Sequence, residues 1–211
     1  MSMLYTVGYI DDDMTSYYDY KKRLGRRGID LLFPDNCKSM EEIFDWIQKQ
    51  NIKCFIVDYK LTGAFEFFGT ELVLYLNSKI PDLPCLILTN YTQDSIGENL
   101  VILNMIEDRD IMSTSDNVKF EEFLNKIKQA VEVFENRIKN HSEEYKQLLD
   151  KKSKNDLTSF DEERFLDLYK ILRSYGEVDD LPAQLLESET SLKMDKLLQS
   201  VNNLIEKVEE R

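Results

Sequence analysis

Short apolar runs alternate with longer amphipathic segments over the first two thirds of the chain. The runs are continuous in their apolar character, whereas a strand with one solvated face would alternate apolar and polar residues. Continuous runs are typical of parallel strands that are buried on both faces. The pattern therefore predicts an α/β fold with a five-stranded, parallel, doubly wound sheet. The predicted strands are 4–10, 29–33, 52–57, 85–88 and 110–112, and the predicted helices are 14–26, 39–50, 71–79 and 95–106, with a final helix from about 119.

The final helix of this pattern continues well beyond the α/β segment. Apolar or amphipathic residues recur in steps of four and three from Phe120 to Leu148, with His141 as one member of the series. Such a series forms a heptad seam on one face of a helix. We therefore expect the helix to run to about Leu149 or Lys151.

Two further helical segments follow in the last quarter of the sequence. Ser159–Glu162 fits a capping box before a helix over 160–174, and a second apolar stripe runs from Met194 to Val208. The expected organisation is a domain over 1–138 followed by a helical hairpin or bundle over 139–211, continuous with the last helix of the domain.

Composition excludes several classes of function. The formal net charge of −13 opposes contact with phosphate backbones, so no nucleic-acid partner is expected. No apolar run approaches the roughly 18 residues that a membrane span needs, and the amino terminus lacks the features of a signal peptide. The three cysteines are odd in number and have no metal-binding spacing, which favours a reduced, cytoplasmic protein.

Acidic residues follow two of the predicted strands. Asp11, Asp12 and Asp13 end the first strand, Asp58 ends the third, and Thr89 ends the fourth. In open α/β sheets, ligands bind outside these carboxyl ends. Clustered carboxylates repel one another, and a Mg²⁺ ion relieves that repulsion. An aspartate held beside the ion can act as a nucleophile toward phosphorus.

Each of these residues also has a simpler interpretation. Asp13 could face solvent, and either acidic segment alone could be a solvated turn. His141 is better explained as a polar residue that sets the register of the seam than as a phosphorelay site. The combination of acidic pair, single aspartate and threonine, on the right elements, favours a site.

In four segments, the sequence resembles the receiver domain of two-component response regulators. These are Ile10–Asp13 as the metal-binding acidic pair, Val57–Leu61 as the acceptor strand, Phe68–Leu72 as the glycine-started helix, and Pro84–Thr89 as the fourth strand with its terminal hydroxyl. The resemblance covers about residues 3–138 and implies a flavodoxin-like receiver fold.

The resemblance also implies roles for individual residues. Asp58 would accept a phosphoryl group from a histidine kinase, a kinase-like protein or a small phosphodonor. Asp11, Asp12, Asp58 and the backbone carbonyl of Lys60 would hold Mg²⁺. Thr89 would hydrogen-bond the phosphoryl group and move the following loop. The protein would be a signalling protein and not an enzyme.

One departure from the receiver pattern concerns the fifth strand, where receivers carry a lysine. With the strand placed at Asp110–Met112, Ser113 or Thr114 takes that position, and the next lysine is Lys119. A hydroxyl donates a hydrogen bond but brings no positive charge, so a weakened or altered switch is expected. The predicted strand also lacks the aromatic residue that usually reports activation.

Alternatives to a phosphorylated signalling protein remain open on the sequence alone. A receiver-like adaptor could dock a partner without phosphate, and the missing lysine favours it. A Mg²⁺-dependent aspartyl phosphatase needs an acid two residues after its nucleophile, where this chain has Lys60. Output is expected through protein–protein contacts of the C-terminal helices, either as a homodimer or by the tail folding back within one chain.

Overall fold

A computed structural model describes residues 5–178. Five parallel strands form one sheet in the order β2-β1-β3-β4-β5. The order reverses between β1 and β3, and this doubly wound arrangement is that of flavodoxin-like folds. The fold class predicted from the apolar pattern is confirmed.

The strands of the sheet are short and the connecting helices vary in length. The strands are β1 (Tyr5–Ile10), β2 (Ile29–Leu32), β3 (Phe55–Val57), β4 (Cys85–Thr89) and β5 (Ile106–Asp108). The helices are α1 (Met14–Gly25), α2 (Met40–Lys49), α3 (Gly69–Lys79), α4 (Thr92–Gly97), α5 (Asn117–Ser153) and α6 (Ser159–Ser174), with 3₁₀ turns at Leu103–Met105 and Arg109–Met112.

Helices cover both faces of the sheet, which explains why the strand residues are apolar without alternation. On one face, residues of α1 and the first half of α5 pack with Val7, Tyr9 and Ile56 in a single core cluster. Phe55 points to the opposite face, where the Trp46 ring of α2 lies 6.3 Å from it. The carboxyl ends of β1, β3 and β4 therefore emerge from a rigid core.

The region between β4 and α5 differs from the sequence-based prediction. A helix was predicted over 95–106, but α4 ends at Gly97, and Asn99 adopts a left-handed φ of 55° that stops it. The fifth strand was predicted at 110–112, but β5 lies at Ile106–Asp108 and is followed by a 3₁₀ turn. Ile111 and Met112 gave the misleading apolar signal because Met112 packs into the core from this turn.

The chain divides into two compact units. The first holds the residues up to Lys139 together with Ser174–Gly176, and the second includes Asn140–Arg173. The long helix α5 passes from one unit to the other and ends at Ser153, slightly beyond the predicted end. In the first unit, the seam residues from Phe120 to Val131 are buried against the sheet.

The second unit contains the end of α5 and α6. The rings of Tyr145 and Phe165 stack with centroids 4.9 Å apart. Arg164 donates two hydrogen bonds to Glu144, at 2.8 and 2.7 Å. Helix α6 starts where it was predicted, but Thr158 and Asp161 form its capping box in place of Ser159 and Glu162.

Some predictions lie beyond the described residues. The apolar stripe from Met194 to Val208 falls outside them, and the domain boundaries 1–138 and 139–211 therefore remain predictions. Between Tyr5 and Val178, no helix combines the length and apolar character needed to cross a membrane.

Candidate functional site

Three carboxylates meet at the carboxyl edge of the sheet. Asp11 and Asp12 follow β1, Asp58 follows β3, and one oxygen from each lies within 4.8 Å of the others. Parallel pairing of Ile10 with Val57 brings the two strand ends side by side. The three acidic residues singled out in the sequence are therefore adjacent.

Asp11 is buried and fully engaged by hydrogen-bond donors. Its side-chain Oδ1 accepts from the Asp13 amide at 2.9 Å, and Oδ2 accepts from the Tyr9 hydroxyl and from Nη2 of Arg109, the latter at 2.9 Å. Burial and the nearby Asp11 carboxylate raise the pKa of Tyr9, so its hydroxyl keeps its proton and acts as the donor.

Asp58 is 4% exposed, and its two carboxylate oxygens have different environments. Oδ2 accepts from the Lys60 amide at 3.1 Å. Oδ1 faces Nη2 of Arg109 at 2.7 Å but makes no hydrogen bond of normal geometry to any described residue. Burial raises the pKa of Asp58, and the positive charge of Arg109 and a hydrogen bond with Thr89 partly offset that rise.

Arg109 is a residue of this cluster that the sequence did not predict. It directly follows β5, so it takes the place at the end of the fifth strand that was assigned to Ser113 or Thr114. That assignment was wrong because the strand was placed four residues too late. Burial lowers the pKa of Arg109, but the carboxylates of Asp58 and Asp11 outweigh this effect and raise it. The site thus has its own cation, although it is not a lysine.

Asp12 and Asp13 have separate roles. Asp12 is exposed, and partial desolvation together with Asp11 raises the pKa of its carboxyl group. Gly63 packs directly against Asp12, so any side chain at position 63 would displace the Asp12 carboxylate. Asp13 instead caps α1, because its carboxylate accepts from the Thr15 amide at 2.9 Å.

Thr89 and Lys60 lie beside the Asp58 carboxylate. Thr89 is fully buried, and its hydroxyl oxygen accepts from the Tyr91 amide at 3.1 Å. The Lys60 amine lies 5.2 Å from the centroid of the Tyr91 ring. A cavity of about 270 Å³ opens here, lined by Asp12, Asp58, Lys60, Asn90, Tyr91 and Arg109. The cavity is large enough for a tetrahedral oxyanion.

A second hydrogen-bond network starts at the residue after Asp58. The Tyr59 hydroxyl donates to Glu98 Oε1 at 2.7 Å, and the buried Thr70 hydroxyl donates to the other oxygen of Glu98. Glu98 directly follows α4, and Thr70 lies in α3. The loop after Asp58 is therefore connected to both α3 and α4.

The donor set fits a small, hard divalent cation. Carboxylate oxygens are the ligands that Mg²⁺ prefers, and the cluster brings one from each of Asp11, Asp12 and Asp58 within 4.8 Å of the others. Three carboxylates against one guanidinium leave the cluster with net negative charge. The residues present therefore suit such an ion.

Comparisons of the whole chain give similarity in structure only. No protein-family model matches the chain, and no curated protein matches it. A response regulator from Thermotoga maritima is 16% identical, with a TM-score of 0.44, and the match covers 62% of this chain and 99% of that protein. The receiver domain of an HD domain-containing protein from Pseudomonas fluorescens Pf-5 is 13% identical, with a TM-score of 0.49 and coverage of 65% and 93%.

A third solved structure, a CheY-like receiver domain protein from Methanospirillum hungatei JF-1, is 19% identical, with a TM-score of 0.46 and coverage of 64% and 98%. All three of these structures are response regulators or receiver domains.

Proposed function

We propose that this chain is a phosphoacceptor receiver protein of a two-component type of signalling system. Asp58 accepts the phosphoryl group, and the C-terminal helices deliver the output through protein–protein contacts. The donor is a histidine kinase, a kinase-like protein or a small phosphodonor. The observation that carries this proposal is the environment of Asp58. Its buried Oδ1 makes no hydrogen bond to a described residue and lies 2.7 Å from the Arg109 guanidinium, and Asp58 is one of the residues that line the cavity.

The chemistry follows from that environment. Oδ1 of Asp58 attacks phosphorus while the bond from phosphorus to the donor's nitrogen or oxygen breaks, and the electron pair leaves with the donor group. The Lys60 amide keeps Oδ2 fixed, so the same oxygen is always presented. Phosphoryl transfer depends mostly on positioning and electrostatic stabilisation, and both are supplied by fixed groups here.

Charge neutralisation needs a metal ion beside the carboxylates. Asp11, Asp12, Asp58 and the Lys60 carbonyl would hold Mg²⁺, which neutralises charge on the transferring oxygens when it is bound. Arg109 contributes its own positive charge on the side of Asp11. Its guanidinium can form charge-assisted hydrogen bonds to phosphoryl oxygens, which are about twice as strong as neutral ones.

Signal output would begin at Thr89. A phosphoryl group on Asp58 adds roughly −1.5 to −2 units of charge beside this hydroxyl. The Thr89 hydroxyl then donates to a phosphoryl oxygen. The backbone at Tyr91 moves with it, because the Tyr91 amide donates to the same hydroxyl oxygen. Because the loop leads into α4, the surface around this helix changes with the phosphorylation state.

Intact-mass spectrometry tests the proposal directly. The protein is incubated with Mg²⁺ and acetyl phosphate, beside an Asp58→Asn variant and an Asp19→Asn variant that removes an exposed acid of α1. We expect one added phosphoryl group in the parent and in Asp19→Asn, and none in Asp58→Asn. Addition to Asp58→Asn would place the acceptor elsewhere and refute the assignment.

The adaptor function is the less favoured candidate. Its main support is the missing fifth-strand lysine, and Arg109 weakens that support because it supplies a positive charge beside Asp58. An adaptor also gains nothing from holding three carboxylates together, because their mutual repulsion destabilises the fold. If the parent takes up no phosphate from acetyl phosphate or from any kinase, and binds no Mg²⁺, the adaptor function replaces the proposal.

A further inference from the structure

Tyr9 places a hydroxyl group in a buried strand, where packing alone would require only apolar atoms. Its side chain is fully buried in the cluster that α1 and α5 form against the sheet. The ring is held edge-on by Tyr20, with centroids 5.6 Å apart, and lies 6.3 Å from Phe33. A buried hydroxyl is costly without a partner, and the aromatic packing aims this one at the Asp11 carboxylate.

A continuous chain of contacts links this hydroxyl to the acceptor. Tyr9 and Arg109 bind the same oxygen of Asp11, and Nη2 of Arg109 reaches Asp58 Oδ1 at 2.7 Å. Asp11 is itself held in place because its other oxygen accepts from the Asp13 amide. With both oxygens engaged, Asp11 offers Arg109 a fixed anchor.

We infer that Tyr9 is a positioning residue of the phosphoacceptor site, which locks Asp11 so that Arg109 is held over the oxygen of Asp58 that receives the phosphoryl group. The inference rests on the proposed function. Tyr9 acts through Asp11 and Arg109 and never touches the phosphoryl group. Its effect falls on the binding of the oxyanion. Both oxygens of Asp11 already accept hydrogen bonds, so Asp11 would hold the metal only through water, whereas Asp12, Asp58 and the Lys60 carbonyl would hold it directly.

The test separates these two binding events. Tyr9→Phe removes one hydroxyl and keeps the ring in the core. Tyr17→Phe is the matched control, because Tyr17 is also buried in this cluster but donates its hydroxyl to the Leu31 carbonyl at 3.2 Å, away from the site. Calorimetry gives the Mg²⁺ affinity first, and then the affinity for beryllium fluoride, which mimics a phosphoryl group on a carboxylate, at saturating Mg²⁺.

The expected result is a split between the two ligands. Tyr9→Phe should bind Mg²⁺ within about two-fold of the parent but beryllium fluoride about ten-fold more weakly, which is the lower end of what a hydrogen bond to a charged group contributes. Tyr17→Phe should match the parent for both ligands. The same ten-fold loss in Tyr17→Phe would mean general loosening of the core and would overturn the inference.

Other outcomes distinguish failure of the inference from failure of the proposed function. Equal beryllium fluoride affinity in Tyr9→Phe and the parent overturns the inference and leaves Asp58 as the acceptor. Equal losses for both ligands in Tyr9→Phe make Tyr9 a general structural residue, which also overturns it. No binding of beryllium fluoride to the parent refutes the proposed function, and the inference with it.

A double-mutant cycle tests the path of the effect. Arg109→Gln removes the group through which Tyr9 is inferred to act. The ten-fold effect of Tyr9→Phe should therefore fall to less than about two-fold when it is measured in the Arg109→Gln background. A ten-fold effect that persists in this background would show that Tyr9 acts by another route and would overturn the inference.

Discussion

Loss of the Arg109 guanidinium should strongly destabilise the metal-free protein. Its two carboxylate partners are almost fully buried, with side-chain exposures of 0% for Asp11 and 5% for Asp58. Breaking a buried ion pair by removal of one partner costs about 3–5 kcal/mol, because the remaining charge has no compensation. Arg109 itself is 18% exposed, and other donors remain on both carboxylates, so Arg109→Gln should cost about 3 kcal/mol, at the low end of that range.

Urea unfolding in the presence of a chelator measures this cost. The only tryptophan, Trp46, lies in α2 against Phe55, so its fluorescence reports on the α/β unit. With an m-value of about 1.5 kcal/mol per molar urea, a loss of about 3 kcal/mol lowers the midpoint by about 2 M. Arg27→Gln is the control, since it breaks an exposed pair with Glu121 and should cost less than about 1 kcal/mol.

Acid should reduce the difference between Arg109→Gln and the parent. The pKa values of Asp58 and Asp12 are raised in the folded protein, so the folded state binds protons more tightly than the unfolded state. The stability that these groups confer when protonated is lost as the pH rises through their folded pKa values. Loss of Arg109 raises the Asp58 pKa further, so the deficit should shrink from pH 7 to pH 5. Equal urea midpoints for Arg109→Gln and Arg27→Gln at pH 7 would refute the reasoning.

Three further changes test other parts of the structure. Mg²⁺ at ten times its dissociation constant should stabilise the parent by about 1.4 kcal/mol and raise its Tm by about 3–6 °C in scanning calorimetry. The Asp12→Asn variant should lose this rise, and an unchanged rise would exclude Asp12 as a ligand. Gly69→Ala should cost about 2–3 kcal/mol in urea unfolding, because its Cβ would overlap the Asp58 carbonyl oxygen, whereas Gly25→Ala has open space and should be neutral or stabilising; equal effects of the two would contradict this packing. Thr158→Ala removes the cap of α6 and should lower stability by about 1 kcal/mol in thermal unfolding followed by far-ultraviolet circular dichroism. Ser153→Ala is the control outside the cap, and a loss in Thr158→Ala no larger than in this control would argue against the cap.

Continuous apolar runs made most of the sheet predictable. Strands β1, β3 and β4 lie inside the sheet under its covering helices, so most of their residues are buried. Strand β2 is at an edge and alternates buried and half-buried residues, but three of its four residues are apolar. The acidic residues and Thr89 could be placed because they directly follow those runs. Their mutual approach then follows from the parallel arrangement alone.

Strand β5 could not be recognised from the same signal. It lies at the edge of the sheet, and of its three residues only Ile106 is buried. Glu107 is polar because it pairs with Lys126 at the surface, so the segment shows no apolar run. A misplaced strand concealed Arg109, and with it the cation of the site. The hydrogen bond from Tyr9 to Asp11 could not be predicted either, because a hydroxyl in an apolar run does not indicate which group it will contact.

An arginine at the end of β5 restricts how this site could be regulated. A lysine can be acetylated, and acetylation would remove its positive charge and its ion pair. The guanidinium of Arg109 is not a substrate for that chemistry, and it stays protonated across the whole physiological range. Its planar donors also have fixed directions, whereas a lysine ammonium can rotate to meet a partner. The positive charge beside Asp58 therefore does not vary with pH or acetylation. Under the proposed function, control would come from the phosphoryl donor, the metal ion or the loop after β4.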